Sequence, residues 1–355
     1  MADAIYAPQE FRFAIAQQIA WATPITSQGA FTELDITAPV QADFASGVVE
    51  DTRKRSDGKK VWSHTDTYRA TTGGTYTIPF ECIATKANLD YLLYGVMQDL
   101  TSEGATTPYQ KIFDMDSNTT GGDFSTFSAL TDAGIMFTVV GYDPSDSGNA
   151  GNFEARNCIL KSLTLSADPG TNGGRLTASG EFVTGFDLII GGTTLVPGSW
   201  GAPGVAFYPF QNYATASVAA ANLVPYSFSL TMTNNVVRSG HTAGVCTNYY
   251  MSMFESDMEI VAKLDAITDD MIITYRLNPM AAAAEVAVIF DWGSDATDGH
   301  LKFLMNGVYT GPTTRDFGAE SGVGVTLSYK GVDDGGGNKC LVTTISNATD
   351  RAWTA

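Results

Sequence analysis

The side chains able to do chemistry are few and scattered. His64, His241 and His300 are the only histidines, and none lies in the HExxH or HxxxH spacing that sets two metal ligands on one helical face. No G-x-S-x-G elbow, P-loop or G-x-G-x-x-G fingerprint occurs, so no catalytic residue, resident metal or cofactor is expected. Asp114-Met115-Asp116-Ser117-Asn118 opens like a calcium loop, but Thr119 stands where the turn needs Gly and Ser125 where a bidentate Glu should close the sphere. A second acidic cluster, Asp291, Asp295 and Asp298, precedes Gly299. Both read as solvated loops. Cys82, Cys158, Cys246 and Cys340 are widely spaced without a CxxC pair, the pattern of four free thiols in a reducing compartment.

One charged motif stands out. Arg53-Lys54-Arg55 and Lys59-Lys60 surround Ser56-Asp57-Gly58, between strand-like stretches ending near Val49 and starting near Val61. This spacing describes a long hairpin with a basic tip. Its plain reading is a solvated turn. Its functional reading is a docking arm that reaches an acidic face on another copy of the chain. Nucleic-acid binding ranks third, since no aromatic interleaving or wider basic patch accompanies it.

The elements that must position these groups are mostly strands. Cys158 to Ser166 alternates with period two, runs into Asp168-Pro169-Gly170-Thr171-Asn172-Gly173-Gly174, and returns through Arg175 to Val183, a hairpin signature. Tyr226, Phe228, Leu230 and Met232 alternate with hydroxyl residues, predicting one core face and one wet or paired face. Helical spacing appears over Asn88 to Leu100, where Leu89, Leu92, Leu93, Val96 and Leu100 form one stripe, and again over Ile267 to Leu277. The order strand, helix, strand, hairpin then recurs. Glu81-Cys82-Ile83-Ala84-Thr85-Lys86 before the first helix corresponds to Glu259-Ile260-Val261-Ala262-Lys263-Leu264 before the second. Ser162 to Ser166 with Gly173-Gly174 corresponds to Gly324 to Ser328 with Gly336-Gly337 and a returning strand. The chain thus reads as mainly β (α+β), with two copies of one helix-flanked β-sandwich module. The first spans residues 1–190 and the second 223–355, joined by a Gly, Pro and Ala-rich stretch at 191–222.

Composition narrows the function classes. The 355 residues carry a net charge of −18, with 44% hydrophobic and only 16% charged residues, against roughly 25% charged in an average domain. The charge argues against general affinity for nucleic acid, which needs Lys and Arg to displace counterions. It suits a wall past which DNA slides without sticking. Met1-Ala2-Asp3-Ala4 has no basic region followed by an apolar stretch, and no run of eighteen apolar residues occurs, so neither a secretory signal nor a membrane span is expected.

Lys161-Ser162-Leu163-Thr164-Leu165-Ser166-Ala167-Asp168, the Gly173-Gly174 turn and Leu176 to Gly185 resemble the strand pair of phage tail tube proteins from long non-contractile tails. Tyr226-Ser227-Phe228-Ser229-Leu230-Thr231-Met232-Thr233-Asn234-Asn235 resembles the strand opening the second half of such proteins. The resemblance implies a virion structural protein and not an enzyme, assembled in the host cytoplasm. Its β-sandwich would be flanked by a helix, and its inner sheets would join those of neighbouring copies into a closed barrel, with stacked rings forming the tube. It places an inter-ring docking loop at Arg53, Lys54, Arg55, Lys59 and Lys60, and implies tape-measure and baseplate or terminator proteins as partners, with DNA passing unbound through the lumen. Single-module members form rings of six, so a duplicated chain is expected to form a trimeric, pseudo-hexameric ring, with a hexamer of chains as the alternative. Two other readings remain open: a baseplate or tail-terminator ring, and a carbohydrate-binding β-sandwich using Trp21, Trp62, Trp200, Trp292 or Trp353 as a stacking platform.

Overall fold

The computed structural model describes residues 11–18, 24–38, 40, 48–50, 67–69, 76–97, 99–103, 109–114, 136–143, 152–186, 188–191, 200–202, 207–242, 245–277, 286–293, 299–311, 324–332 and 340–346. Among them the chain is mainly β, with few helices. In order come β1 (Arg12–Gln17), β2 (Thr32–Leu34), β3 (Val48–Glu50), β4 (Thr67–Arg69), β5 (Tyr76–Ile83), α1 (Leu89–Met97), β6 (Asp99–Glu103), β7 (Tyr109–Asp114), β8 (Phe137–Tyr142), β9 (Phe153–Ala167), β10 (Thr177–Thr184) and β11 (Ile189–Ile190). Then follow β12 (Tyr213–Val218), β13 (Ala221–Asn222), β14 (Pro225–Thr242), β15 (Val245–Lys263), α2 (Ala266–Leu277), β16 (Val286–Trp292), β17 (His300–Tyr309), β18 (Gly324–Gly331) and β19 (Cys340–Ser346). β12 and β13 fall within the stretch 191–222.

All strands except the β3–β4 pair belong to one network of antiparallel ladders. Its spine is hydrogen-bonded in the order β5, β10, β9, β14, β15, β18. Two strands, β9 and β17, connect this spine to a covering layer. β9 pairs with β8 and β11 over its first residues and with β10 and β14 over its later ones. β17 pairs with β16 and β19 first, and with β18 at Gly307 to Tyr309. β1 joins β8 and carries β2, while β12 joins β16. On the far side β7 pairs with β19 and carries β6.

The alternating apolar residues explain how the layers close. In the first half, Phe13 of β1 stacks on Phe80 of β5 at 6.4 Å, and Phe137 of β8 meets Phe182 of β10 edge-on at 5.6 Å. In the second half, Phe228 of β14 lies 4.4 Å from Phe290, 5.2 Å from Phe303 and 5.9 Å from Trp292. Burying each such ring contributes about 1.5–3 kcal/mol. α1 adds Leu89, Leu92, Leu93 and Val96, all fully buried. Its first turn is held by Asn88, whose Oδ1 accepts from the Thr85 backbone N–H. α2 begins after Asp265, whose Oδ1 accepts from the N–H groups of Ile267 and Thr268, satisfying donors the helix cannot.

Three sequence expectations are corrected. The first helix stops at Met97, because the buried Asn234 side chain donates to the Val96 carbonyl and residues 99–103 pair with β7; Leu100 therefore lies in β6. Tyr226 does not share the core face of Phe228, Leu230 and Met232. A register shift between Pro225 and Ser227 turns it outward, where it is 38% exposed. The strand after Gly336-Gly337 does not return along β18. β18 and β19 lie end to end along the same side of β17, because β17 itself changes layers. The 158–183 hairpin is as expected, closed by Gly170 N–H on Asp168 Oδ1 and by Gly173 and Gly174 at positive φ, a conformation that glycine adopts without steric cost.

Candidate functional site

Along the spine every second residue points into the core and the others form one open face. β9 offers Ser162, Thr164 and Ser166 to that face, and β14 offers Ser227, Ser229, Thr231 and Thr233. β5 adds Thr77, Pro79 and Glu81, β10 adds Ser179 and Glu181, β15 adds Glu255, Asp257, Glu259, Val261 and Lys263, and β18 adds Thr326, Ser328 and Lys330. The period of two causes this, since the interleaved Leu163, Leu165, Phe228, Leu230, Met258, Ile260, Val325 and Leu327 are all buried.

The hydroxyls are tied laterally. Thr164 Oγ1 lies 3.1 Å from Thr231 Oγ1 across β9 and β14, and Ser166 Oγ lies 2.9 Å from Thr177 Oγ1 across β9 and β10. Thr37 Oγ1 donates to Glu81 Oε1 at 2.7 Å. Two of the face's carboxylates are paired with lysines: Lys161 sits 3.3 Å from Glu181, and Lys330 3.6 Å from Glu255. A shallow depression of about 500 Å³ crosses this face, bounded by Ala38, Pro79, Glu81, Thr164 and Glu181. Its floor is Gly180, where a Cβ would meet the Ser162 carbonyl oxygen at 2.4 Å. Its ionisable lining groups are Glu81 and Glu181, and no histidine or cysteine lines it. The arrangement presents a polar surface of hydroxyls interspersed with carboxylates and lysines.

The edge of this face is positioned by β2. Arg12 donates to both carboxylate oxygens of Glu33 and lies over the Trp200 ring at 5.5 Å. The hydrogen bond to Glu33 is the main cause raising the Arg12 guanidinium above its ordinary pKa. From there the chain runs along β5: Thr37 N–H donates to the Glu81 carbonyl, Ile83 N–H donates to the Asp35 carbonyl, and Ile36 bridges Cys82.

The residues singled out from sequence are dispersed. Arg53, Lys54, Arg55, Lys59 and Lys60 lie outside the described residues, as does His64; β3 and β4 on either side of the basic segment pair antiparallel, Val48 with Arg69 and Glu50 with Thr67. The His241 backbone pairs with Cys246 within the β14–β15 hairpin. His300 is buried, with Nε2 2.9 Å from Asp291 Oδ1. Of the calcium-like segment only Asp114 is described, at the end of β7, and Asp295 and Asp298 lie outside the described residues. Among the described residues no group of three or more His, Cys, Asp or Glu side chains could hold a metal. Trp200 and Trp292 are buried and offer no stacking platform; Trp21, Trp62 and Trp353 lie outside the described residues. Cys82 and Cys158 are free and buried, and burial pushes both thiols far up from their ordinary pKa. No described helix is long and apolar enough to cross a membrane.

Sequence reasoning missed the polar ties at α1, two of which join the two halves. Lys111 Nζ of β7 lies 2.9 Å from Asp90 Oδ2 of α1, and Thr344 of β19 donates to Asp90 Oδ1 at 3.0 Å. Asn234 of β14 reaches the end of α1, as described above. Thr344 and Asn234 are far from α1 in sequence, and no local pattern marks these contacts. Neither a family model nor a curated protein sequence matches the chain.

Proposed function

We propose that the chain is a ring-forming structural protein of a virus particle, the tube subunit of a long non-contractile phage tail. The observation that carries this reading is the spine: one continuous antiparallel sheet with an open face of hydroxyls and paired charges, built from two halves joined strand to strand at β9 and β14.

The order of pairings favours a duplicated sandwich module. In the first half β1 pairs with β8, β8 with β9, β9 with β10, β10 with β5, and α1 follows β5. In the second half β12 pairs with β16, β16 with β17, β17 with β18, β18 with β15, and α2 follows β15. β11 on β9 then matches β19 on β17. With the segment 35–37 counted in the first half and the end of β17, Gly307 to Tyr309 on β18, in the second, each half supplies four strands to the spine. Three chains would supply twenty-four, which at about 4.8 Å spacing and a tilt near 40° close at a backbone diameter of roughly 48 Å. Allowing about 5 Å of side chain on each wall leaves a lumen of roughly 38 Å, ample for duplex DNA. The open face would line it. Its hydroxyls and slight excess of carboxylates would let DNA slide without capture.

On this reading the protein resides in the virion tail, with tape-measure and baseplate or terminator proteins as partners, and performs no catalysis. The buried Trp200 and Trp292 remove part of the support for a carbohydrate-binding module. Negative-stain electron microscopy of the concentrated protein tests the proposal. Hollow rings or stacked tubes of three chains per ring are expected; a monomer that no nucleating tail protein converts to rings refutes it.

A further inference from the structure

We propose that the junction between β9 and β14 inside one chain is the template for the junction between chains: Asp35–Ala38 of one copy docks on β17 of the next, beyond Gly307. This rests on the ring reading and adds its direction and the edges that carry it.

The argument starts from how β9 is shared. β8 accompanies β9 as far as the pair Phe137 with Cys158. β14 then takes the same side of β9 from Ser162 to Ala167. In the second half, among the described residues, β16 accompanies β17 to the pair Val286 with Gly307, while the chain continues on β18 through Thr310, whose N–H donates to the Ser328 carbonyl at 3.0 Å. β17 thus stands to β16 and β18 as β9 stands to β8 and β10. The strand corresponding to β14 is the one that runs into β5, since β14 runs into β15. That strand is the segment 35–38. Its inward groups are the Asp35 carbonyl and Thr37 N–H, both bonded to β5. In an antiparallel ladder the alternate groups, at Ile36 and Ala38, point away from β5. Asp35 and Thr37 are exposed, and a polar edge with outward amides is a template for another strand.

The two edges are different surfaces, so the contact is heterologous and closes only by rotation into a ring. A second copy is the one partner that carries the complementary edge by construction, because each chain already contains one example of the joined pair.

Two variants test this in the full-length chain. Ala38→Pro removes an outward N–H from the first edge. Gly311→Pro does so on the second, where the nearest atoms to an added Cβ are those of the Tyr309 side chain. Circular dichroism and melting confirm folding; Ala38→Lys and Val308→Lys replace any proline variant that does not fold, since an edge lysine also blocks pairing. Sedimentation and native mass spectrometry count the copies. Each variant alone is expected to lose at least tenfold of its closed rings. An equimolar mixture should give a dimer of one copy of each, joined by the single intact seam, and stop there. Folded variants that both form wild-type rings overturn the seam while leaving the ring reading intact. Loss of rings in only one variant indicates a like-to-like contact and also overturns it. A wild-type chain that never forms rings, even with nucleating tail proteins, overturns the ring reading itself.

Discussion

Replacing Phe228 with alanine probes whether the second half is held by its aromatic layer. The ring is 2% exposed and lies against Phe290, Phe303 and Trp292 at 4.4, 5.2 and 5.9 Å. Truncating a buried Phe costs about 3–5 kcal/mol, and more where the walls cannot collapse. Three flat rings fixed on paired strands β16 and β17 are such walls, and each aromatic pair adds about 0.5–1.5 kcal/mol beyond its area. The expected loss is therefore at the top of the range, about 4–5 kcal/mol. With a urea dependence of about 3 kcal/mol per molar, the unfolding midpoint should fall by about 1.5 M, read by tryptophan fluorescence and circular dichroism together. Phe228→Leu keeps most of the volume and should lose less than about 0.5 M, since such apolar swaps cost under about 1.5 kcal/mol. A Phe228→Ala midpoint within about 0.3 M of the parent would show that β14 does not depend on this layer.

The tie between Asp90, Lys111 and Thr344 makes a second expectation: Lys111→Met alone leaves the partly buried Asp90 carboxylate without its cation and should cost about 2–3 kcal/mol, whereas Asp90→Leu with Lys111→Met should recover most of it, as urea midpoints will show. Gly180→Ala forces a Cβ against the Ser162 carbonyl oxygen and the Phe80 ring, so a loss of about 1–3 kcal/mol is expected in thermal melts. Cys82 and Cys158 have raised pKa values in the folded chain, so their contribution is complete below the unfolded thiol value near 8.5 and is lost as pH rises above it, when only the unfolded state sheds the protons. Stability should fall between about pH 8.5 and 10, and less so in a Cys82→Ala, Cys158→Ala variant. Placing lysine at Thr164, Ser229 and Thr231 should make the open face retain duplex DNA at low salt in a gel-shift assay, where the parent does not.

What the sequence made legible was local. The β9–β10 hairpin announced itself because alternation and a run of turn residues sit within one short stretch, and both helices did so through their apolar spacing. The limits were also physical. Tyr226 obeys the alternation in sequence, but a register shift between Pro225 and Ser227 turns it out of the core, and nothing in the residue types signals the shift. Gly336-Gly337 looked like a second hairpin turn because sequence carries turn chemistry and not the identity of the strand being joined; β19 instead shares β17 with β18. The open face was half visible, as a row of hydroxyls on β9 and β14. Its status as a continuous surface depends on ladders between residues far apart in the chain, such as Phe228 with Ala167. The basic segment Arg53 to Lys60 drew notice for its charge, and the described strands beside it do not assign it a role.

The pairing of β7 with β19 has a consequence for synthesis. Asp90 and Thr344 are 254 positions apart, so on a ribosome adding about 5–20 residues per second, the carboxylate waits roughly 13 to 50 s for its last partner. Through that interval the outer edge of β7 is exposed to other nascent chains as a strand without its neighbour. Yield in a cell should thus be governed by translation speed and chaperone supply as much as by the stability of the finished fold, and slowing elongation over the second half should raise the aggregated fraction.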